Sequence, residues 1–163
     1  APVKAVGAAG EGQAITEQVF DRAAVLLAFE QVGGADRCLE MAKEYALERY
    51  AFGRQIGSYQ AIKHKLADMY VKNELARSNA YYGAWALSTG SAELGVAACL
   101  ARISATEAFQ SAAEEGLHVH GGIGFTWEHD AHLFLRRSRL LAVELGAARR
   151  WKRTLVHRLA ARG

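Results

Sequence analysis

The 163 residues carry 51% hydrophobic and 23% charged side chains, with a formal net charge of +3. That length builds one well-buried domain and is too short for two of ordinary size, and two cysteines without a CxxC pair exclude a disulfide-stapled scaffold. No apolar run reaches the roughly 18–20 residues of a membrane span, and the abundance of Ala, Leu, Glu and Arg, all good helix formers, points to an all-α fold.

Residues 1–15 are rich in glycine and alanine, hold the single proline (Pro2) and lack the apolar stretch of a secretion signal. They read as a residual linker, with the domain proper over 16–163. Thr16 is placed to cap a first helix with Glu17 in its first turn. That helix runs to about Ala51, and Gly33-Gly34 marks a close-packing or bending point. FGRQIGSYQ (52–60) breaks the pattern with two glycines, and Ser58 can cap a second helix. Its Ile62, Leu66 and Met69 fall at i, i+4 and i+7, one helical face.

STGSAE (88–93) is a turn with Ser88 or Ser91 as cap. The third helix, from about Ala92 to Leu117, repeats alanine at 97, 101, 105, 108 and 112, a spacing that lets helices approach closely. HVHGGIGFTWEHD (118–130) cannot stay helical at its glycines. A fourth helix follows, broken near Gly146. Four long antiparallel segments with short links predict an up-down four-helix bundle. Cys38 and Cys99 fit small core residues of a reduced, intracellular protein. Tyr81, Tyr82, Trp85, Phe109, Phe125, Trp127, Phe134 and Trp151 are mostly core candidates.

Charge is uneven. Residues 136–163 hold nine Lys/Arg against Glu144 alone, a net of +8, while the first 135 residues carry a net of −5. Such a stripe suits nucleic acid, a phosphate-bearing cofactor or an acidic partner, or is a solvated helix face. Glu115-x-x-His118 is half of a di-metal bundle motif, and the second half and two further glutamates are missing, so no metal is expected. No nucleophile elbow or phosphate loop occurs. Gly121-Gly122-x-Gly124 follows a helix and not a strand, which rules out a dinucleotide fingerprint; a tight interhelical turn or close approach to a phosphate or flat ring remains. Phe52, between Arg49 and Arg54 in the broken loop, offers a ring and cations to an adenine-diphosphate group.

Two stretches carry a resemblance. ALERYAFGRQIGSYQAIKHKLADM (46–69) contains Arg49-x-x-Phe52-Gly53-x-x-Ile56-x-x-x-Gln60, and HVHGGIGFTWEHDAHLFLRRSR (118–139) contains Gly121-Gly122-x-Gly124-Phe125. Both, at this separation, resemble signatures of the acyl-CoA dehydrogenase family, and the likeness runs from Ala14 onward. It implies the C-terminal helical domain of a subunit that also has an N-terminal helical domain and a middle β-domain, whose end residues 1–15 would be. It further implies FAD as cofactor, an acyl-CoA substrate, homo- or hetero-oligomers joined through this bundle, electron-transfer flavoprotein as acceptor and a cytoplasmic location. Arg49, Phe52 and Gln60 match positions on the FAD pyrophosphate and adenosine of a neighbouring subunit. Gly121 and Gly122 match the segment along that FAD, and Asp21 matches a position near the acyl-CoA chain.

The implied reaction is α,β-dehydrogenation of an acyl thioester, in which a glutamate removes the α-proton and flavin accepts the β-hydride. The family pattern departs here. Its base falls on Leu145, with Glu144 one residue early, about 100° away on a helix. The alternative seat on the first helix is Ala23, followed by Ala24, and the residues that normally touch flavin are Ala147 and Arg149. Three readings follow: a catalytic subunit with Glu144 shifted into place; a base-less subunit that completes a partner's FAD site, as in heteromeric steroid side-chain enzymes; or a helical scaffold or nucleic-acid module. The 163 residues alone are expected to be inactive and to self-associate through the face the other domains would cover.

Overall fold

A computed structural model of the chain describes residues 6–162, so the first third of the expected linker lies outside the described residues. Five α-helices form: α1 (Gly12–Glu48), α2 (Gln60–Ser88), α3 (Leu94–His120), α4 (Ala131–Val143) and α5 (Ala148–Ala160). A two-residue hairpin, β1 (Tyr50–Ala51) with β2 (Arg54–Gln55), joins α1 to α2.

Side-chain partners fix the directions. Gln31 bonds Thr106, and a side chain at Gly34 or Gly116 would meet Phe109 or Cys38, so α1 and α3 run parallel. Lys65 pairs with Glu115, Lys72 with Ser111 and Asn79 with Ser104, so α2 runs antiparallel to α3. Arg139 reaches Glu114, and Arg158 the carbonyl of Gly95, so α4 and α5 descend α3 one after the other. The fold is the expected all-α, up-down four-helix bundle, its last helix split in two.

The packing follows from small side chains. Ala97, Ala101, Ala105, Ala108 and Ala112 are all at most 1% exposed, and α3 packs against every other helix. Burying a helix this thoroughly needs flanks that let neighbouring backbones close in. The core falls into two clusters. One gathers Phe109, Met69, Leu141 and alanines of α1, α2 and α3; the other holds Ala24, Val25, Ala98, Cys99 and Trp151. Gln31, Arg102 and Thr106 form a buried polar layer between them. Ile62 and Leu66 pack on the first cluster beside the buried Met69, as their spacing predicts.

Several local expectations are corrected. The first helix begins at Gly12, so residues 12–15 are helix and not linker; Thr16 Oγ1 donates to the Gly12 carbonyl at 2.7 Å instead of capping. A mid-helix threonine meets its own i−4 carbonyl more readily than a free N–H. Glu11 ties the preceding turn by accepting from Ala8 N–H at 2.8 Å. The helix stops at Glu48 because Phe52 and Gly53 adopt φ of 52° and 83°, the two positive values of a type I′ hairpin turn. Ser58 donates to the Gln55 carbonyl and caps nothing, whereas Ser91 Oγ does accept the Glu93 N–H at 3.1 Å. The third helix extends to His120. Phe109 and Trp151 are core, while Tyr81, Trp85, Phe125 and Trp127 are exposed. Tyr81 and Trp85 lie on the side of α2 opposite Met69, Ala76 and Ala80, and Phe125 and Trp127 lie in the turn after α3.

Gly33 and Gly34 differ sharply. A Cβ on Gly34 would stand 2.5 Å from Phe109 Cζ, while one on Gly33 meets nothing within 4 Å. Gly34→Ala should therefore destabilise the fold by about 1–3 kcal/mol. Gly33→Ala should stabilise it by about 0.5–1 kcal/mol through helix propensity. Urea unfolding midpoints check both signs.

Candidate functional site

The α1–α2 connection is a stiff projection. Arg49 ends α1 with its N–H on the Tyr45 carbonyl at 2.9 Å, and its own carbonyl accepts Ile56 N–H at 2.8 Å. Tyr59 Oη donates to the Ala51 carbonyl at 2.9 Å, and the Arg54 guanidinium lies 4.0 Å above the Tyr59 ring. Arg54 is thus committed to Tyr59 and not to Phe52. Gly57 is needed because a Cβ there would meet the Ala46 carbonyl at 2.9 Å, which seats the turn on α1. At the hairpin tip Phe52 is 98% exposed. Arg49 and Gln60, on either side of the hairpin, are exposed too.

The glycine turn stands at the same end. The register that pairs Lys65 with Glu115 brings the first turn of α2 to the level of His120. The Tyr45 ring lies 4.7 Å from the His120 ring and the His129 ring lies 4.1 Å from it, centroid to centroid. Gly121 has φ of 62°, a conformation that glycine adopts freely. Gly122 does not have a positive φ, and a Cβ there meets nothing within 4 Å. Nothing inside the described chain requires glycine at 122; it leaves backbone open to an approaching group. Arg49, Phe52, Gln60, Gly121 and Gly122 therefore share one end of the bundle.

Asp21 lies elsewhere. It stands 28 residues before Arg49 on one unbroken helix, about 40 Å away at 1.5 Å per residue. Both its oxygens accept from Arg158, each at 2.9 Å, and Arg158 also reaches Gly95 O and Cys99 Sγ. Burial pushes the Asp21 carboxyl up against the downward pull of Arg158. The carboxylate fastens α1 to α5 and α3. Arg158, 137 residues away in sequence, gives no local signal of this pairing.

The break between α4 and α5 holds the expected base positions. Glu144 is exposed at the end of α4, its N–H on the Leu140 carbonyl and its own carbonyl accepting from Arg102. Leu145 has φ of 59° and packs on the cluster that contains Ala24, Val25 and Trp151. The two seats implied for a base, Leu145 and the half-buried Ala23, both carry apolar side chains. Gln31 and Arg102, the buried polar pair beneath this break, escaped sequence reading because each looks like an ordinary surface helix residue.

Among the described residues no three His, Cys, Asp or Glu side chains group as a metal site needs. Glu115 is held by Lys65 and lies 3.6 Å from His118 Nδ1. No helix among the described residues is long and apolar enough to cross a membrane.

Comparison with known proteins places the fold in a family. Residues 10–160 match the family model for the acyl-CoA dehydrogenase C-terminal domain. The chain is 48% identical over 120 residues to acyl-CoA dehydrogenase IpdE2 of Mycobacterium tuberculosis, covering 74% of the chain and 36% of that relative. Butyryl-CoA dehydrogenase from Megasphaera elsdenii superposes with a TM-score of 0.90 at 26% identity, covering 94% of the chain and 40% of that protein. The ChsE4–ChsE5 complex from Mycobacterium tuberculosis superposes with a TM-score of 0.83 at 29% identity, covering 88% and 39%. The chain therefore spans well under half the length of each.

Two consequences are measurable. Burial, aided by the His129 ring, holds the His120 imidazole below its ordinary 6.5 despite its bond to the Gly116 carbonyl. The unfolded chain takes up that proton near 6.5 and the folded one resists, so this contribution is complete above about pH 6.5 and shrinks as pH falls below it. Denaturant midpoints should drop from pH 7 to pH 5, less steeply in His120→Phe. Asp21→Asn strands the Arg158 guanidinium and should cost about 3 kcal/mol of stability, read by calorimetry.

Proposed function

Because the chain belongs to the acyl-CoA dehydrogenase family through its C-terminal helical domain, we propose that it grips FAD and joins subunits in an enzyme that dehydrogenates acyl-CoA thioesters. The observation that carries this reading is the shared end of the bundle, where Arg49, an unpartnered Phe52 ring and two open glycines converge. The Arg49 guanidinium suits a pyrophosphate, with charge-assisted bonds of about twice neutral strength. Phe52 supplies a flat apolar surface beside it, and Gly121-Gly122 lets a ligand touch main chain. Gln60, at the start of α2, adds an amide for the adenosine. Bound FAD supplies the hydride acceptor for the substrate β-carbon. The residues at this end bind and orient the dinucleotide of a neighbouring subunit, which makes assembly part of the site.

Within that enzyme the chain acts as a base-less subunit. Proton removal needs a carboxylate aimed at the α-carbon, and the two seats for it hold Leu145 and Ala23, while Glu144 faces outward. The base then comes from a second, related subunit. The likeness to a chain of a two-component complex, ChsE4–ChsE5, supports a heteromer of this kind. Electron-transfer flavoprotein is the proposed acceptor, in the cytoplasm. Asp21 acts on the acyl-CoA side only through the packing of α1, since Arg158 occupies both its oxygens.

The nucleic-acid reading is disfavoured by how the basic stripe is used. Arg137 pairs with Glu30, Arg139 with Glu114, Arg158 with Asp21 and Arg162 with Glu93, and Arg150 lies over Phe20. Those cations fasten helices to one another.

In the complete dehydrogenase, Arg49→Ala should weaken FAD binding roughly tenfold or more, the loss of about 1.5–3 kcal/mol from a charged hydrogen bond, measured by flavin fluorescence titration. Glu144→Gln should leave turnover with acyl-CoA within twofold. Abolished turnover in Glu144→Gln would overturn the base-less assignment, and unchanged FAD affinity in Arg49→Ala would overturn the gripping role.

A further inference from the structure

Arg102 sits midway along α3 and is only 1% exposed. A guanidinium withdrawn from water costs several kcal/mol unless its donors find acceptors. Here the acceptors are neutral oxygens. Nη1 donates to Gln31 Oε1 at 2.9 Å, and Nη2 donates to the carbonyls of both Leu141 and Glu144. Gln31 is held in turn by Thr106, whose hydroxyl bonds the Arg102 carbonyl at 2.7 Å. Leu141 and Glu144 lie at the C-terminal end of α4, where carbonyls lose their backbone donors and the helix dipole is negative. The Glu144 carboxylate adds a through-space attraction that favours the charged guanidinium while burial opposes it. The cation therefore caps α4 from inside the bundle.

Immediately after this cap the chain does something costly. Leu145 takes φ of 59°, the left-handed region that a side chain disfavours. Such a conformation persists only where its surroundings over-determine it. They do so on three sides. Arg102 holds the carbonyl before Leu145, Gly146 follows with φ of 95°, and the Leu145 side chain packs on the cluster of Ala24, Val25 and Trp151.

We propose that Arg102 is a positioning residue: by gathering the Leu141 and Glu144 carbonyls onto one buried guanidinium, it fixes the α4–α5 break and decides which way residues 144 and 145 face. The functional weight of this rests on the reading above, in which the break holds one seat of the α-proton base. With the clamp closed, position 145 is directed inward and Glu144 outward. A loop shift that brought Glu144 in would have to pull its carbonyl off Arg102 and leave a buried cation short of an acceptor. Arg102 is thus what keeps this seat of the base shut.

Hydrogen exchange read by mass spectrometry on the complete protein, as wild type, Arg102→Met and Arg102→Lys, tests the clamp. Arg102→Met should speed exchange of the 144–148 amides at least tenfold while amides in the middle of α1 and α2 keep wild-type rates. Arg102→Lys, whose single ammonium cannot span Gln31 and two carbonyls, should give an intermediate acceleration at the same amides. Unchanged exchange at 144–148 would overturn the proposal. So would uniform acceleration through all helices, or failure of both variants to fold, since either makes Arg102 a general stabiliser. FAD affinity, read on the same samples, should stay within twofold in Arg102→Lys. Absence of FAD binding by the wild type would remove the functional reading and leave the exchange result standing.

Discussion

Close approach of α3 to every other helix is the constraint on which this bundle is built. A helix that packs on four others keeps long side chains such as Glu107 and Glu114 for a narrow outer strip, and the space between axes is closed by making the contact residues small. The alanines at 97, 101, 105, 108 and 112 do this on α3, answered by Ala24, Ala28, Ala35, Ala42 and Ala46 on α1 and by Ala76 and Ala80 on α2. Thin packing leaves few large residues to set the register. Phe109 against the bare backbone of Gly34 is one such key, and Val25 against Gly83, whose added Cβ would come within 3.0 Å, is another. In each case a bulky side chain on one helix fits a glycine on its neighbour, and a slip of one residue would lose the match.

The polar layer of Gln31, Arg102 and Thr106 sets a different kind of register. An apolar bundle of alanines tolerates sliding, whereas a buried guanidinium is satisfied at one height only. Because Arg102 needs both Gln31 on α1 and the last carbonyls of α4, it fixes where α4 ends as well as how α3 sits beside α1. The end of α4 forces the break, and the break lets α5 reach the lower cluster with Trp151 and send Arg158 to Asp21. The split of the fourth helix is in this sense a consequence of one buried charge.

Much of this was legible in the sequence. The alanine repeat announced close packing, and the glycines at 53, 57, 90, 121, 122 and 146 marked the departures from helix. The residues of the Arg49 end were legible because their types are unusual where they stand: an exposed phenylalanine in a glycine turn and paired glycines after a helix. Helix caps read less well. Thr16 and Ser58 are good cap residues in isolation, yet each found a closer carbonyl once the chain folded. Least legible were residues whose meaning lies in a distant partner. Asp21 matched a position near the acyl-CoA chain, with no sign in the sequence that Arg158 would take both its oxygens, and Leu145 gave no hint of a left-handed backbone, because the Arg102 that stabilises it stands on another helix.

The geometry also separates the two halves of the proposed function. Arg49 and Asp21 stand near opposite ends of α1, about 40 Å apart along a helix that runs without interruption through Gly33 and Gly34. No single dinucleotide reaches from one to the other within a subunit, so a bundle that grips FAD at its Arg49 end serves a different site from the one its Asp21 end adjoins. The spacing itself argues for an assembly in which each bundle is shared between neighbours. It also means the two ends can change independently. Leu145 belongs to a small cluster beside Ala24 and Trp151, while the Arg49–Gln60 hairpin is held by its own hydrogen bonds at the far end. Positions separated by this distance and sharing no partner contribute additively, so a change at 145 leaves the packing and hydrogen bonds around Arg49 and Phe52 intact.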